Sequence, residues 1–222
     1  MKRLGRQLAS VVGLAVLVGC FNEPEPAYKT VPAETRVYLN DTSLQKLTVE
    51  ALLKEGRIFV APGGMTNLSS RVQKLDVASL DYLNLDRNKL TDVNELSSFV
   101  GLKWLRLNDN QLTALPDLKG LVKLQRIYLK GNRVTAVPET LKDLPTLTDV
   151  DLSFNPLKEV PQWLAEKKGL KGLSFTRTQI TKLPDNLEAW ESLQQLQLGE
   201  LNLSPEEMAR IRKALPDVAI VF

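Results

Sequence analysis

Apolar residues recur with one fixed spacing through most of the chain. The first clear instance is Leu80, Leu83, Leu85, Asn88 and Leu90, and the spacing returns with a period of about 22 residues. Six instances begin at Leu80, Leu102, Leu124, Leu147, Leu170 and Leu193. The second and third apolar positions alternate with polar ones, which predicts a short strand with one face inward. Because one unit cannot bury its own leucines, we predict stacked units with parallel strands over residues 80–203.

One polar position is repeated with the leucines. The first four units carry an asparagine shortly after the predicted strand: Asn88, Asn110, Asn132 and Asn155. A short side-chain amide at a turn can satisfy backbone groups that would otherwise be buried without partners. We therefore expect a buried asparagine ladder with a structural role. Thr178 and Leu201 interrupt it, so the last two turns should differ in shape.

The spacing resembles the consensus of the leucine-rich repeat family, L-x-x-L-x-L-x-x-N-x-L. The second half of the units agrees, since Leu115-Pro116 and Val137-Pro138 resemble the "LP" segment of the bacterial and typical repeat classes. The resemblance implies an α/β solenoid, a horseshoe with a parallel concave β-sheet and helical caps at both ends. It also implies that the protein binds another molecule through the concave face.

Both ends of such a solenoid need a cap. Residues 204–222 read as the C-terminal cap: Ser204-Pro205-Glu206-Glu207 is a capping box, and Met208, Ile211 and Leu215 have helical spacing. Val218 to Phe222 is β-prone and could complete the sheet. Residues 34–79 are assigned to the N-terminal cap, with a helix over 44–54 and a strand over 57–60.

The N-terminus has the pattern of an export signal. Lys2, Arg3 and Arg6 precede a short apolar run over residues 8–18, so residues 1–19 are expected to be a signal peptide rather than an uncleaved membrane anchor. Leu17-Val18-Gly19-Cys20 resembles the lipobox of bacterial lipoproteins, which implies that Cys20 is acylated after cleavage. Residues 20–33 then form a proline-rich tether. Phe21 is not aspartate, which by the same resemblance favours the outer membrane of a Gram-negative bacterium, on its periplasmic or surface face.

Composition and charge exclude several classes of function for this protein. Hydrophobic residues make up 43% and charged residues 25% of the chain, as in an ordinary globular protein. The net charge of +3 comes from the three N-terminal cations, because removing them leaves 29 − 3 = 26 basic against 26 acidic residues. A neutral mature protein has no general electrostatic reason to bind nucleic acid. The absence of histidine excludes Ser-His-Asp chemistry, and one cysteine allows no intrachain disulfide.

Residues between the leucines should face the concave side, where a candidate binding patch can be read from the first three units. We expect its residues to be exposed together there: Tyr82, Trp104, Arg106, Arg126 and Tyr128. Aromatic and arginine side chains are enriched in binding hot spots. The alternative is cross-strand stabilisation, in which Trp104 stacks on Arg126 and Arg126 pairs with Asp149.

An enzyme is not expected, and neither is a cofactor or a metal. Asp149 and Asp151 both face the concave side, and such a pair can act as acid and base, but no other catalytic group converges on them. The sequence thus favours a lipid-anchored, non-catalytic protein that binds an unknown protein ligand. The alternatives are a structural envelope component and a carbohydrate or peptidoglycan binder with aromatic stacking platforms.

Overall fold

The computed structural model describes residues 36–38, 45 and 80–222. Their strands are β1 Arg36–Tyr38, β2 Tyr82–Asn84, β3 Trp104–Arg106, β4 Arg126–Tyr128, β5 Asp149–Asp151, β6 Gly172–Ser174, β7 Gln195–Gln197 and β8 Ala219–Val221. Their α-helices are α1 Gln162–Glu166 and α2 Pro205–Ala214, and their 3-10 helices are Asn94–Ser98, Glu139–Leu141 and Leu187–Ala189.

The described strands form one parallel sheet in chain order, from β1 to β8. The register places each inward residue beside its counterpart in the next unit, for example Leu83 beside Leu105 and Leu105 beside Ile127. Each crossover returns the chain to the same end of the neighbouring strand, which is how a solenoid stacks. The predicted solenoid with a parallel sheet is confirmed.

A continuous apolar core lies between the sheet and the helical return segments. The inward strand residues Leu105, Ile127, Val150 and Leu173 have no exposed surface. Residues of the return path close the other side of the core, including Leu141 in a 3-10 helix. Every central strand residue from β2 to β7 is buried, as the alternation predicted, but the flanking residues of β2, β5 and β6 are buried as well.

The asparagine ladder is present and buried. The Nδ2 atom of Asn132 donates to the carbonyl oxygens of Leu129 at 2.9 Å and, one unit back, Leu107 at 2.9 Å. Its Oδ1 atom accepts from the backbone N–H of Leu112 at 3.0 Å. Asn110 and Asn155 repeat this arrangement, so each amide fastens its own turn to the preceding unit.

The ladder stops at Thr178, as its sequence predicts. The Thr178 hydroxyl is buried and has no hydrogen-bond partner in the described part of the chain. A threonine is too short to repeat the donor and acceptor pattern of the asparagine amide.

The C-terminal end of the solenoid is covered by α2 and β8. The helix starts at the proline of the capping box, where the Ser204 hydroxyl accepts from the backbone N–H of Glu207 at 3.2 Å. Ile211 and Leu215 are buried against the last unit. Strand β8 pairs with β7 and extends the sheet by one strand.

The N-terminal end contains a strand that the sequence prediction did not include. Strand β1 pairs in parallel with β2, with Val37 beside Leu83. The expected strand over 57–60, the helix over 44–54 apart from Gln45, the signal peptide, Cys20 and the tether lie outside the described residues.

Candidate binding surface

A ladder of aromatic and charged side chains crosses the concave face. The ring centroids of Tyr38 and Tyr82 are 5.2 Å apart, and those of Tyr82 and Trp104 are 6.1 Å apart. The Arg126 guanidinium lies 4.2 Å from the Trp104 ring centroid, and its Nε atom is 3.5 Å from Asp149 Oδ2. Five neighbouring strands, β1 to β5, therefore contribute one residue each to a continuous stack.

Two of the five predicted patch residues are buried, and the expectation that all five are exposed is wrong. Tyr82 is 2% exposed and Tyr128 is 6% exposed. The physical reason is the spacing of parallel strands, about 4.8 Å, which places large side chains in contact with their neighbours in the adjacent units. Tyr82 lies between Tyr38 and Trp104, so the added strand β1 helps to cover it.

Tyr128 is held by its surroundings in the same way. The Arg106 guanidinium lies 5.7 Å from the Tyr128 ring centroid. Burial raises the pKa of Tyr128 to about 12, so its hydroxyl stays protonated at physiological pH. Tyr128 thus supports the concave face rather than presenting an aromatic ring to a ligand.

Arg106 is fixed by an ion pair on its other side. Its Nη2 atom is 2.7 Å from Asp86 Oδ2, and its Nε atom donates to the same oxygen at 2.8 Å. Burial raises the pKa of Asp86, although Arg106 opposes this shift by favouring the ionised carboxylate. The guanidinium is therefore oriented before any ligand arrives.

Three predicted residues remain accessible, and we call them the concave patch: Trp104, Arg106 and Arg126. Each is partly exposed, and each lies on β3 or β4. The predicted Trp104–Arg126 stacking and Arg126–Asp149 pairing are also present. The two interpretations of these residues are compatible, because the same contacts that brace the side chains also fix them at the surface.

Asp149 and Asp151 are both buried within the concave face. Asp149 is 4% exposed and pairs with Arg126. Asp151 is 5% exposed, and its Oδ1 atom accepts from the backbone N–H of Ser153 at 2.9 Å. Burial raises the pKa of Asp151 despite this hydrogen bond.

A polar pocket adjoins the concave patch at the edge where the strands begin. It has a volume of about 410 Å³ and is lined by Gln125, Arg126, Thr146, Thr148, Asp149, Lys171 and Gln194. Amide, hydroxyl and charged groups in one depression suit a polar ligand. The sequence prediction missed this pocket, because its lining comes from positions that vary from unit to unit.

Phe154 is a second feature that the sequence prediction did not include. It is 37% exposed and lies between two cations, Lys130 and Arg177. Its counterparts in the other described units are polar or glycine: Arg87, Asp109, Gly131, Arg177 and Glu200. An apolar residue in an otherwise polar repeat position was the signal that could have identified it.

Two kinds of feature are absent from the described residues. Residues 36–38, 45 and 80–222 contain no group of three or more cysteine, aspartate or glutamate residues that could hold a metal ion. In the same part of the chain, no helix has the length and apolarity needed to cross a membrane.

Comparison with known proteins agrees with the fold. Residues 101–157 match the family model for the leucine rich repeat. An internalin from Listeria monocytogenes superimposes with a TM-score of 0.58 at 22% identity, covering 68% of this chain and 43% of the internalin. The chain thus matches less than half of that protein's length.

A leucine-rich repeat protein of Leptospira interrogans is 25% identical over 71% of this chain and 58% of its own, with a TM-score of 0.41. None of the curated proteins matches the chain. The family model covers the central units, and the parallel sheet continues the same architecture on both sides. The described residues therefore have the fold of a leucine-rich repeat solenoid.

Proposed function

We propose that this protein is non-catalytic and binds another protein through the concave patch. The observation that carries the proposal is a partly exposed tryptophan, Trp104, flanked on the concave face by Arg106 and Arg126. Tryptophan and arginine dominate binding hot spots because they bury a large surface and form several hydrogen bonds. Leucine-rich repeat solenoids also typically use their extended concave surface for binding.

The patch is organised for binding before a partner arrives. Arg106 is held by Asp86, Arg126 is held by Asp149, and Trp104 is packed against Arg126. Side chains that are already ordered lose less conformational entropy on association. Because these carboxylates already offset the positive charges of Arg106 and Arg126, apolar contact with Trp104 should supply much of the affinity.

We further propose that the protein is anchored by lipid at Cys20 in the cell envelope, in the outer membrane of a Gram-negative bacterium. The support is the sequence Leu17-Val18-Gly19-Cys20 after a charged and then apolar segment, with Phe21 in place of aspartate. Full processing and detergent partitioning of a Cys20→Ser variant like those of the wild type would contradict the lipid anchor. Protease accessibility in intact cells distinguishes the periplasmic from the surface face.

Position-specific crosslinking tests the concave patch. A photo-crosslinking residue at Lys103, whose side chain is 49% exposed beside Trp104, should give a discrete protein adduct in intact cells. Trp104→Ala should remove the adduct and leave the melting temperature close to that of the wild type. The same crosslinker at Glu191, whose side chain is 70% exposed on the loop before β7, is the control. Adducts that are the same at both positions, or that persist in Trp104→Ala, would exclude the patch as the binding site.

Binding of a carbohydrate such as peptidoglycan is the second candidate, and the polar pocket favours it. The pocket shares Arg126 with the concave patch and adds two side-chain amides, Gln125 and Gln194. Purified protein that binds peptidoglycan fragments, with the affinity lost in Gln125→Ala, would support this alternative. A purely structural envelope component would show neither a specific adduct nor glycan binding.

A further inference from the structure

A column of left-handed residues follows the sheet at the edge where the strands end. Its members have positive φ angles: Arg87 (54°), Asp109 (54°), Gly131 (68°), Phe154 (56°), Arg177 (54°) and Glu200 (60°). Left-handed backbone favours glycine and asparagine and is costly for a bulky side chain. Among the described members of this column, Phe154 alone has an apolar side chain, and this side chain is exposed to solvent. Neither its backbone conformation nor core packing explains why a phenylalanine occupies the position.

The backbone around Phe154 is fixed by the solenoid. The Phe154 N–H donates to the carbonyl of Thr176 at 2.8 Å, and the Gly131 N–H donates to the carbonyl of Ser153 at 2.9 Å. In the next unit, the Arg177 N–H donates to the carbonyl of Gly199 at 2.9 Å. The exposed ring is thus presented on a hydrogen-bonded platform rather than on a loose loop.

Cations from the two adjacent units flank the ring. Lys130 Nζ lies 4.8 Å from the Phe154 ring centroid, and the Arg177 guanidinium carbon lies 5.0 Å from it. At the neighbouring column position, the Asp109 side chain lies against Gly131 and occupies the space that a Cβ atom would fill. Arg177 also pairs with Glu200 at 2.6 Å, but both side chains are more than half exposed, so an incoming carboxylate can compete for the guanidinium.

We propose that Lys130, Phe154 and Arg177 form a second docking site, for an acidic linear segment of another protein. An aromatic or aliphatic side chain of that segment contacts the Phe154 ring, and its carboxylates pair with Lys130 and Arg177. The charge complementarity selects an acidic segment over a neutral or basic one. This site goes beyond the concave-face proposal, because it shares no residue with the concave patch.

The probe is a phage-displayed library of random dodecapeptides, selected against the detergent-solubilised full-length protein. Selected peptides should combine acidic residues with an aromatic or aliphatic one. A synthetic peptide of the selected consensus should bind Phe154→Asn about tenfold or more weakly than wild type. Asparagine accepts the left-handed backbone, so this variant should fold at least as stably as the wild type. Glu200→Gln should strengthen binding, because it frees Arg177 from its ion pair.

Matched control variants test whether peptide binding depends on this cluster. Arg87→Asn changes the same column two units before Lys130, and Val122→Ser removes an exposed apolar side chain elsewhere; both should bind like the wild type. Trp104→Ala should also bind normally, which makes failure of this site distinguishable from failure of the concave patch. The proposal is overturned if the selected peptides are not acidic, or if Phe154→Asn binds them as well as the wild type. A lower melting temperature of Phe154→Asn with unchanged peptide binding would assign the cluster to stability alone.

Discussion

At the scale of single residues, the concave face contains carboxylates that become buried when the chain folds. For Asp151, burial outweighs the hydrogen bond from Ser153 and the attraction of Lys130 and Arg106, so the pKa of its carboxyl group is raised. A carboxyl group whose pKa is raised on folding destabilises the folded state at neutral pH. Buried charge on this face is thus a cost that the hydrophobic core offsets.

Asp151→Asn should therefore increase the free energy of unfolding at pH 7. The sign follows from the raised pKa of Asp151: its destabilising effect is present above the folded pKa, declines as the pH falls through it, and is absent below the unfolded value of 3.8. Denaturant unfolding of both proteins from pH 7 to pH 3 measures this difference. A variant that is less stable at pH 7, or a gap that widens in acid, would contradict the assignment.

The break in the asparagine ladder gives a second prediction at this scale. Thr178→Asn should stabilise the protein by about 1 kcal/mol, because the amide can donate to turn carbonyls and accept from the preceding unit as Asn132 does. Thr178→Val is the control, since it removes a buried hydroxyl that has no partner in the described structure and adds no hydrogen bond. Urea midpoints of the three proteins test this, and a Thr178→Asn midpoint at or below that of Thr178→Val would show that the turn cannot accept the amide.

At the scale of elements, α2 is joined to the solenoid by polar contacts as well as by its apolar face. Glu207 Oε1 accepts from the backbone N–H of Leu183 at 2.8 Å. Arg210 donates to Glu207 at 2.8 Å and to the carbonyl of Leu183 at 3.0 Å. These bonds satisfy backbone groups of the last return segment, so the helix position depends on the ionised state of Glu207.

Glu207→Gln should loosen the cap at neutral pH and have less effect in acid. The Arg210 guanidinium beside Glu207 lowers the pKa of this carboxyl below its usual 4.5. Its contribution to stability is therefore present above the unfolded pKa and is lost as the pH falls through the folded one. Melting temperatures of wild type and variant should differ at pH 7 and converge well below pH 4.5; a constant gap would show that the charge is not responsible.

At the scale of the whole molecule, each unit contacts its neighbours, and stability is expected to be distributed along the solenoid. Every described strand pairs only with the strands before and after it in the chain. Stability in such arrays is close to a sum of unit and nearest-neighbour terms. A defect at one end should then open that end, whereas a central defect weakens both halves.

Substitutions at two buried positions compare a defect in the centre of the solenoid with a defect near its C-terminal end. Ile127→Ala in β4 and Leu196→Ala in β7 each remove a side chain with no exposed surface and should each cost about 2–5 kcal/mol. Hydrogen exchange should accelerate across the strands in Ile127→Ala, but mainly in β7, α2 and β8 in Leu196→Ala. Uniform acceleration in both variants would show that the solenoid unfolds as one cooperative unit.

Sequence patterns alone were sufficient to predict the strands β2 to β7, the asparagine ladder and the start of α2. The strands and the ladder depend on spacing that is repeated from unit to unit, and one register satisfies all the leucines at once. The start of α2 depends on a local capping box. Strand β1 is a partial exception: Val37, Leu39 and Leu44 follow the same spacing, with Thr42 in the asparagine position, but a single isolated copy is a weak signal.

The accessibility of the concave side chains, in contrast, depends on packing between units and could not be predicted from the repeat spacing. Tyr82 and Tyr128 occupy the same kind of position as Trp104, yet they are buried and Trp104 is partly exposed. Phe154, in contrast, is exposed between two cations. Exposure in a parallel stack depends on the side chains one strand away on either side, and at Tyr82 on a strand more than forty residues earlier in the chain. The repeat spacing determines the position of a side chain on its strand. The side chains of the neighbouring units determine how much of its surface remains exposed.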